Sequence, residues 1–133
     1  MTTHEYYMHK ALQEARQAAE EGEIPVGAVV VCKGKIIARA HNETEKLNDV
    51  TAHAEMLAIT MATSYLGGKY LNECTLYVTM EPCTMCAGAL SWAQLGELVT
   101  GAPDPSSGIL ASDPSRIASE NPNHLRHFNR GMQ

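Results

Sequence analysis

The sequence has no Lys or Arg between Lys69 and Arg116, and its formal net charge at pH 7 is −5. This balance provides no general attraction to nucleic acid, because polyanions are drawn to positively charged surfaces. Any contact with nucleic acid would have to use basic residues elsewhere in the chain. Charge alone therefore does not predict a nucleic-acid-binding protein.

Long apolar runs and targeting signals are also missing. No run approaches the ~20 apolar residues that cross a bilayer, and the stretch MTTHEYYMHKALQEARQ lacks the basic-then-apolar pattern of a signal peptide. We therefore expect no membrane partner and a cytoplasmic location, in which thiols stay reduced. This setting disfavours a disulfide between neighbouring cysteines and favours metal or redox chemistry.

What the sequence does contain is the composition of a globular domain. Its 133 residues are 44% hydrophobic and 19% charged, which is ordinary for a domain with a buried core. No internal repeat, low-complexity segment or linker divides the chain. We therefore expect a single domain over residues 1–133.

Apolar periodicity and helix-breaking residues predict three helices. The first covers residues 4–21 and ends at Gly22, and the second covers TAHAEMLAITMATSYL and ends at Gly67. Pro82 favours the start of a third helix, which continues through CTMCAGALSWAQL.

Runs rich in β-branched residues predict four strands. IPVGAVVVC and KIIARA form a hairpin around a Lys-Gly turn, and CTLYVTM and ELVTGA form two further strands. The stretch that follows is rich in Pro, Ser, Asn and Gly and is predicted to be mostly loop. The order α-β-β-α-β-α-β indicates a three-layer α/β/α fold with a mixed β-sheet.

Two cysteines, Cys83 and Cys86, open the third predicted helix in the stretch EPCTMC. Their spacing places both sulfurs on one side of the helix, and a helix N-terminus favours anionic thiolates. His53 stands at the start of the other long helix, two residues before Glu55, and is the candidate third ligand. Three protein ligands leave one position for water, which is the pattern of a catalytic zinc site.

The expected zinc ion would lower the pKa of that water to about 7. Glu55, a carboxylate not bound to the metal, is placed to carry protons. The combined pattern of His-x-Glu, 26 residues and Pro-Cys-x-x-Cys is the signature of zinc-dependent nucleobase deaminases. Alone, the histidine could be a helix cap and the two cysteines could be a redox pair. Together the two motifs favour a catalytic zinc site.

Three further residues are interpreted from their positions alone. Cys32 and Cys74 stand at strand ends without metal-ligand spacing, and we interpret both as small, partly buried residues. Asn42 leaves the hairpin just before the zinc helix, where a turn-forming role and a functional role are both open.

In its motifs the chain resembles the cytidine-deaminase-like superfamily, and within it the bacterial tRNA-specific adenosine deaminase family. The resemblance is carried by EGEIPVGAVVV, AHN, DVTAHAEMLAI, CTLYVTMEPCTMCAGAL and TGAPDPSSG, which span residues 1 to about 108. It implies hydrolytic conversion of adenosine to inosine at the wobble position of a tRNA anticodon. It also implies one Zn²⁺ per chain, a homodimer, and a tRNA anticodon stem-loop as partner.

Carried over by residue, the resemblance assigns zinc binding to His53, Cys83 and Cys86 and proton transfer to Glu55. An activated water would attack C6 of a flipped-out adenine, and ammonia would leave. The residues expected to contact the substrate are Asn42 at the base edge, Val26 against the ring, the backbone N–H of Ala54, and Asp104 in the ribose-contacting loop.

The sequence departs from the family pattern in two places. Family members commonly carry basic residues in the loop after Gly-Ala, where this chain has Pro103 and Ser106, and phosphate contacts dominate affinity for nucleic acid. Members also continue into another strand and a C-terminal helix. This chain is shortened from about residue 109 and ends in NPNHLRHFNRGMQ, which we expect to be a solvated tail.

Two alternatives therefore stand beside tRNA deamination. The acidic charge and the missing loop cations suit a deaminase of free nucleobases or nucleosides, of the guanine or cytosine type, although little of the chain is left to cover its pocket. The other alternative is a catalytically silent zinc-binding scaffold, which the intact Glu55 argues against.

Overall fold

Three helices and a five-stranded sheet make up the described part of the chain, residues 2–102 and 126–129, in a computed structural model. The helices are α1 (Thr3–Glu20), α2 (Ala54–Leu66) and α3 (Thr84–Trp92). The strands are β1 (Gly27–Cys32), β2 (Lys35–His41), β3 (Cys74–Met80), β4 (Glu97–Ala102) and β5 (Arg126–Asn129). None of the helices in this part of the chain is long and apolar enough to cross a membrane.

The strand order across the sheet is β2-β1-β3-β4-β5. β1 runs antiparallel to both β2 and β3, whereas β3 and β4 are parallel. A parallel pair requires a crossover connection, which α3 supplies between β3 and β4. The sheet is therefore mixed, which confirms the predicted fold class.

Helices cover both faces of the sheet. On one face Val29 of β1 packs in a buried cluster with Met8 of α1. On the other face Val30 packs with residues of α2 and α3, among them Ala58 and Leu90. Because successive strand residues point to opposite faces, a strand buried on both sides has an almost continuous apolar sequence, as in GAVVVC.

Gly27, at the start of β1, allows α1 to approach the sheet closely. A Cβ at this position would collide with the backbone of Ala11 and Ala15. The close contact holds the first residue of β1 against α1, and Val26 directly precedes it. The start of β1 is therefore a rigid place from which to present a side chain.

A fifth strand corrects the prediction of a solvated tail. Residues Arg126–Asn129 pair antiparallel with β4, where the edge of the sheet otherwise offers unpaired N–H and C=O groups. The strand has four residues, too few for hydrophobic alternation to reveal it in the sequence. Pro103, Asp104 and Ser106 lie outside the described residues, so their predicted roles are not tested by the fold.

Candidate active site

The predicted metal ligands lie at the N-terminal ends of α2 and α3. His53 is the N-cap residue of α2 and Cys83 is the N-cap residue of α3, both with extended backbone, and neither side chain caps its own helix. Cys86 follows in the first turn of α3 and is buried. An N-cap side chain ordinarily bonds to the free N–H groups of its helix, whereas here His53 faces the two cysteines.

The three candidate ligand atoms form a tight cluster. Nδ1 of His53 lies 3.5 Å from Sγ of Cys86 and 3.7 Å from Sγ of Cys83, and all three atoms lie within 4.8 Å of one another. A tetrahedral zinc ion with usual Zn–N and Zn–S bond lengths separates such ligands by roughly 3.6 Å. The donor set therefore fits zinc both in its chemistry and in its spacing.

Glu55 lies beside this cluster without belonging to it. Its side chain is buried in the first turn of α2. Burial raises the pKa of Glu55 to about 7, against the opposing effects of its own backbone N–H and of Cys86. A carboxyl group with a pKa near neutrality can both accept and donate protons.

The thiol of Cys86 also has an unusual protonation equilibrium. Burial, and then the neighbouring Glu55 and Cys83, raise the pKa of Cys86 above its ordinary value. Two thiols and a carboxyl group crowded together cannot all ionise at low cost. A cation bound among them compensates this charge and favours the thiolate form of each cysteine.

A cavity of about 220 Å³ opens onto the cluster. It is smaller than the cavities that bind drug-sized ligands, which suits a ligand the size of one base. Five of the predicted site residues line it: Val26, Asn42, His53, Glu55 and Cys83. Of the other three, Cys86 joins them through the ligand cluster, Ala54 contacts Asn42, and Asp104 lies outside the described residues.

Asn42 connects the β-hairpin to α2. Its Oδ1 accepts a hydrogen bond of 2.7 Å from the backbone N–H of Ala54, and its own backbone N–H donates to the carbonyl of Val26 at 3.1 Å. Because the oxygen of the side-chain amide is engaged with Ala54, its NH₂ group is left as a donor at the cavity wall. The N–H of Ala54 is already used in this bond, so its contact with a substrate stays a prediction.

Two buried acids near the cavity are not revealed by sequence patterns. The carboxylate of Glu23 accepts hydrogen bonds from the backbone N–H groups of Glu45 at 3.1 Å and Lys46 at 2.8 Å, and lies 3.5 Å from the hydroxyl of Thr44. Thr44 lines the cavity, so Glu23 holds one of its walls in place. Glu81 is also buried and lines the cavity. Both stand in stretches that carry the family resemblance, EGEIPVGAVVV and CTLYVTMEPCTMCAGAL, but an acidic residue next to an apolar segment in a sequence resembles a surface residue.

Residues 1–102 match the sequence family described as the cytidine and deoxycytidylate deaminase zinc-binding region. The chain belongs to this deaminase family. The match confirms the deaminase class and the zinc cofactor expected from the sequence, and the clustered side chains of His53, Cys83 and Cys86 supply a suitable ligand set.

The deaminase is similar to proteins that act on different substrates. It is 51% identical to the tRNA-specific adenosine deaminase of Agrobacterium fabrum over 112 residues, which cover 84% of this chain and 74% of that protein. A solved structure from work on A-to-I editing by tRNA:A34 deaminases at the wobble position of transfer RNA matches with a TM-score of 0.77 and 49% identity, over 83% of this chain and 84% of that one. The guanine deaminase of Bacillus subtilis matches with a TM-score of 0.74 and 40% identity, over 77% of this chain and 66% of that one.

Proposed function

We propose that this deaminase converts adenosine to inosine at the wobble position of a tRNA anticodon. The observation that carries the proposed reaction is the buried carboxyl group of Glu55 beside the cluster of His53, Cys83 and Cys86, in a cavity the size of one base. The proposed substrate is supported by the 51% identity with a tRNA-specific adenosine deaminase.

In this proposal His53, Cys83 and Cys86 hold one Zn²⁺, which when bound supplies a water activated for attack at neutral pH. Glu55 accepts a proton from this water and transfers it to the ring nitrogen next to C6. The water oxygen bonds to C6, and Glu55 then takes the remaining proton of that oxygen and passes it to the amino group. The C6–N bond breaks, so that adenosine and water yield inosine and ammonia. The burial of Glu55 limits proton exchange with bulk solvent during these steps.

Asn42, Val26 and Ala54 are the proposed contacts of the adenine base. The NH₂ group of Asn42 donates to an acceptor on the base edge, since its oxygen is engaged with Ala54. Val26, buried in the cavity wall, packs against the ring. The base must leave its stack to reach these residues. Asp104 is proposed to contact the ribose.

We further propose that residues 1–133 form one domain that works as a homodimer in the cytoplasm. Met85 and Trp92 of α3 lie on one face of the helix because they are seven residues apart, and Trp92 is 86% exposed. Contiguous exposed apolar surface marks protein interfaces. Replacing Trp92 with Glu should convert a dimer into a monomer in multi-angle light scattering, and an unchanged mass would contradict this interface.

Deamination of free guanine is the second candidate function. It is supported by the 40% identity with a guanine deaminase and by the net charge of −5, since a free base carries no phosphates to be neutralised. A silent zinc scaffold has less support, because a purely structural zinc site has no use for a buried carboxyl group at its side.

The deciding experiment compares substrates on one preparation of zinc-loaded enzyme. Inosine is measured in an anticodon stem-loop with adenosine at the wobble position, and in a matched stem-loop with that adenosine moved by one position. Ammonia release is measured in parallel from guanine, cytosine, adenosine and cytidine. We expect inosine only at the wobble position and none with Glu55→Gln. Ammonia from a free base alone would replace the proposal with the second candidate.

A further inference from the structure

Cys32 and Cys74 lie directly opposite each other on neighbouring antiparallel strands. Cys32 ends β1, Cys74 begins β3, and the two residues are register partners, both with free thiols. Opposed residues on antiparallel strands have Cα atoms about 4.5 or 5.5 Å apart, depending on the type of pair. Both values fall within the range of about 4.4–6.8 Å that a disulfide bond spans. The backbone therefore allows a bond between these two sulfurs.

The two thiols also share a cavity, from which a small reagent can reach Cys32. They line a cavity of about 410 Å³, larger than the one at the zinc ligands, and Lys33 and Lys35 stand at its wall. Cys74 is buried, whereas Cys32 is partly exposed. A reagent that enters this cavity therefore meets Cys32 first. Lys33 lies 3.6 Å from Glu73, which also lines the cavity, so its charge is compensated. Lys35, which donates to the neutral hydroxyl of Tyr65, keeps a positive charge at the wall and favours a reagent with negative charge.

This cavity is separate from the catalytic one. The two cavities share no lining residue. Val26 directly precedes β1 and Cys32 ends it, so the two lie about 20 Å apart at the usual rise per residue of a strand. A reaction at Cys32 should therefore leave the zinc ligands and Glu55 undisturbed.

The surroundings of the two thiols decide which of them reacts first in a thiol–disulfide exchange. Burial, the contact with Cys32 and then the negative charge of Glu73 raise the pKa of Cys74 to about 12. Only a thiolate attacks a disulfide, so Cys74 attacks a free reagent slowly. Its reaction is easier when the disulfide to be attacked is already held next to it, on Cys32. Cys32, the more exposed thiol, is the residue suited to the first attack.

We propose that Cys32 and Cys74 form a reversible oxidation site, which a small anionic disulfide of the glutathione type converts into a cross-strand disulfide bond. The sulfur of Cys32 loses its proton and attacks the reagent, forming a mixed disulfide and releasing one thiol. The sulfur of Cys74 loses its proton, attacks the sulfur of Cys32, and releases the second thiol. The two cysteines lose two electrons and two protons, and the reagent gains them.

The bond would stabilise the folded chain without changing the zinc site. A cross-link between these positions restricts the unfolded chain. In a domain of this size, the melting temperature should rise by about 5 °C or more. The activity of the oxidised enzyme should stay equal to that of the reduced enzyme.

The test treats reduced, zinc-loaded protein with oxidised glutathione, blocks remaining thiols, and maps the peptides under non-reducing conditions. We expect a peptide linking Cys32 to Cys74, retained zinc, and a higher melting temperature that dithiothreitol reverses. The reaction should be faster at higher pH, because the second step requires the thiolate of Cys74. Cys32→Ser should fold and keep its zinc, but should show neither the linked peptide nor the rise in melting temperature.

Two results would overturn the proposal. One is a stable glutathione adduct on Cys32 with Cys74 left free, which would mean that the two sulfurs cannot meet. The other is oxidation of Cys83 and Cys86 with loss of zinc while Cys32 and Cys74 stay reduced. Neither result depends on the substrate of the enzyme, so this test is independent of the proposed function.

Discussion

The side-chain oxygen of Asn42 accepts a hydrogen bond of 2.7 Å from the backbone N–H of Ala54, the residue directly after the candidate zinc ligand His53. One amide group thus fixes the start of α2, where the first ligand stands, while its NH₂ group is left at the cavity wall. In the proposed function, the candidate metal site and the contact with the base therefore share a residue. Substitutions can test the role of the oxygen and the role of the NH₂ group separately.

Asn42→Asp and Asn42→Ala should separate the two roles. Asp keeps an oxygen for the N–H of Ala54 but removes the NH₂ donor, whereas Ala removes both. We expect kcat/KM on the preferred substrate to fall about 10- to 100-fold in both variants, the range for a lost hydrogen bond to a ligand. Asn42→Ala should also lose about 1–3 kcal/mol of stability at every pH, because the buried N–H then has no acceptor. Asn42→Asp should lose stability only as pH rises, because its buried carboxyl group then ionises in the cavity wall that also holds Glu55 and Glu81. Chemical denaturation measures the stability, and an Asp variant with full activity would refute the donor role.

Zinc content should depend on the three clustered ligands and not on other cysteines. We expect close to one zinc per chain in the parent protein, and close to none in His53→Ala or Cys86→Ala. Cys32→Ala is the matched control, because it removes a thiol that lies outside the cluster and should retain the metal. Metal analysis by mass spectrometry gives the content, and a chelator should lower the melting temperature of the parent and of the control. Equal zinc in all four proteins would show that the cluster is not the binding site.

The zinc cluster could be predicted from the sequence because its geometry is local. Cys83 and Cys86 are one helical turn apart, and His53 and Glu55 are close in the chain, so each pair is positioned by its own helix. Only the meeting of the two helices requires the fold. The order of helices and strands likewise follows from periodicity within short segments.

The support around the site could not be predicted, because it depends on distant residues. Glu23 can be identified as a residue that holds the cavity wall only from the structure, in which its carboxylate accepts hydrogen bonds from the backbone N–H groups of Glu45 and Lys46. The same holds for Cys32 and Cys74, which are separated by forty-one residues in the chain and become neighbours only through the β1–β3 register. Strand register is decided by the packing of the whole sheet, and a single sequence carries little information about it.

Glu23 should affect substrate binding through the loop it holds, without touching the substrate. In Glu23→Gln one carboxylate oxygen becomes an NH₂ group, so one backbone N–H at Glu45 or Lys46 faces a donor. We expect a loss of about 1–3 kcal/mol in stability and a KM that rises more than kcat falls, because the Thr44 wall of the cavity shifts. Glu20→Gln, at the exposed end of α1, is the matched control.

Hydrogen exchange gives an independent measurement for this loop. The amides of Glu45 and Lys46 should exchange faster in Glu23→Gln than in the parent, because their acceptor is weakened. Unchanged exchange together with unchanged KM would exclude the positioning role. Faster exchange with unchanged KM would show that the loop is held by Glu23 but does not shape the cavity.

His41 should make the stability of the protein depend on pH. Its Nδ1 lies 2.9 Å from a carboxylate oxygen of Glu14, and its Nε2 lies 2.9 Å from Glu21 and 3.7 Å from Glu43. Burial alone lowers the pKa of His41, but the hydrogen bonds and charges of Glu14 and Glu21 outweigh burial and raise the pKa above its ordinary value. The protonated ring is therefore the form that the fold stabilises. Two cations stand at the edge of this group, Arg39 against Glu14 and Lys46 against Glu43.

The sign of the effect follows from the raised pKa. A histidine with a higher pKa in the folded chain contributes stability that is fully present below its unfolded pKa of about 6.5 and is lost as pH rises through the folded pKa. Zinc-loaded parent protein and His41→Gln are compared by urea unfolding from about pH 6, where most carboxylates are still ionised, to about pH 9. The parent should be more stable than the variant at the lower end, and the difference should shrink toward the upper end. A difference that stays constant, or grows with pH, would mean that His41 is neutral in the fold and donates a hydrogen bond to only one of its two glutamates.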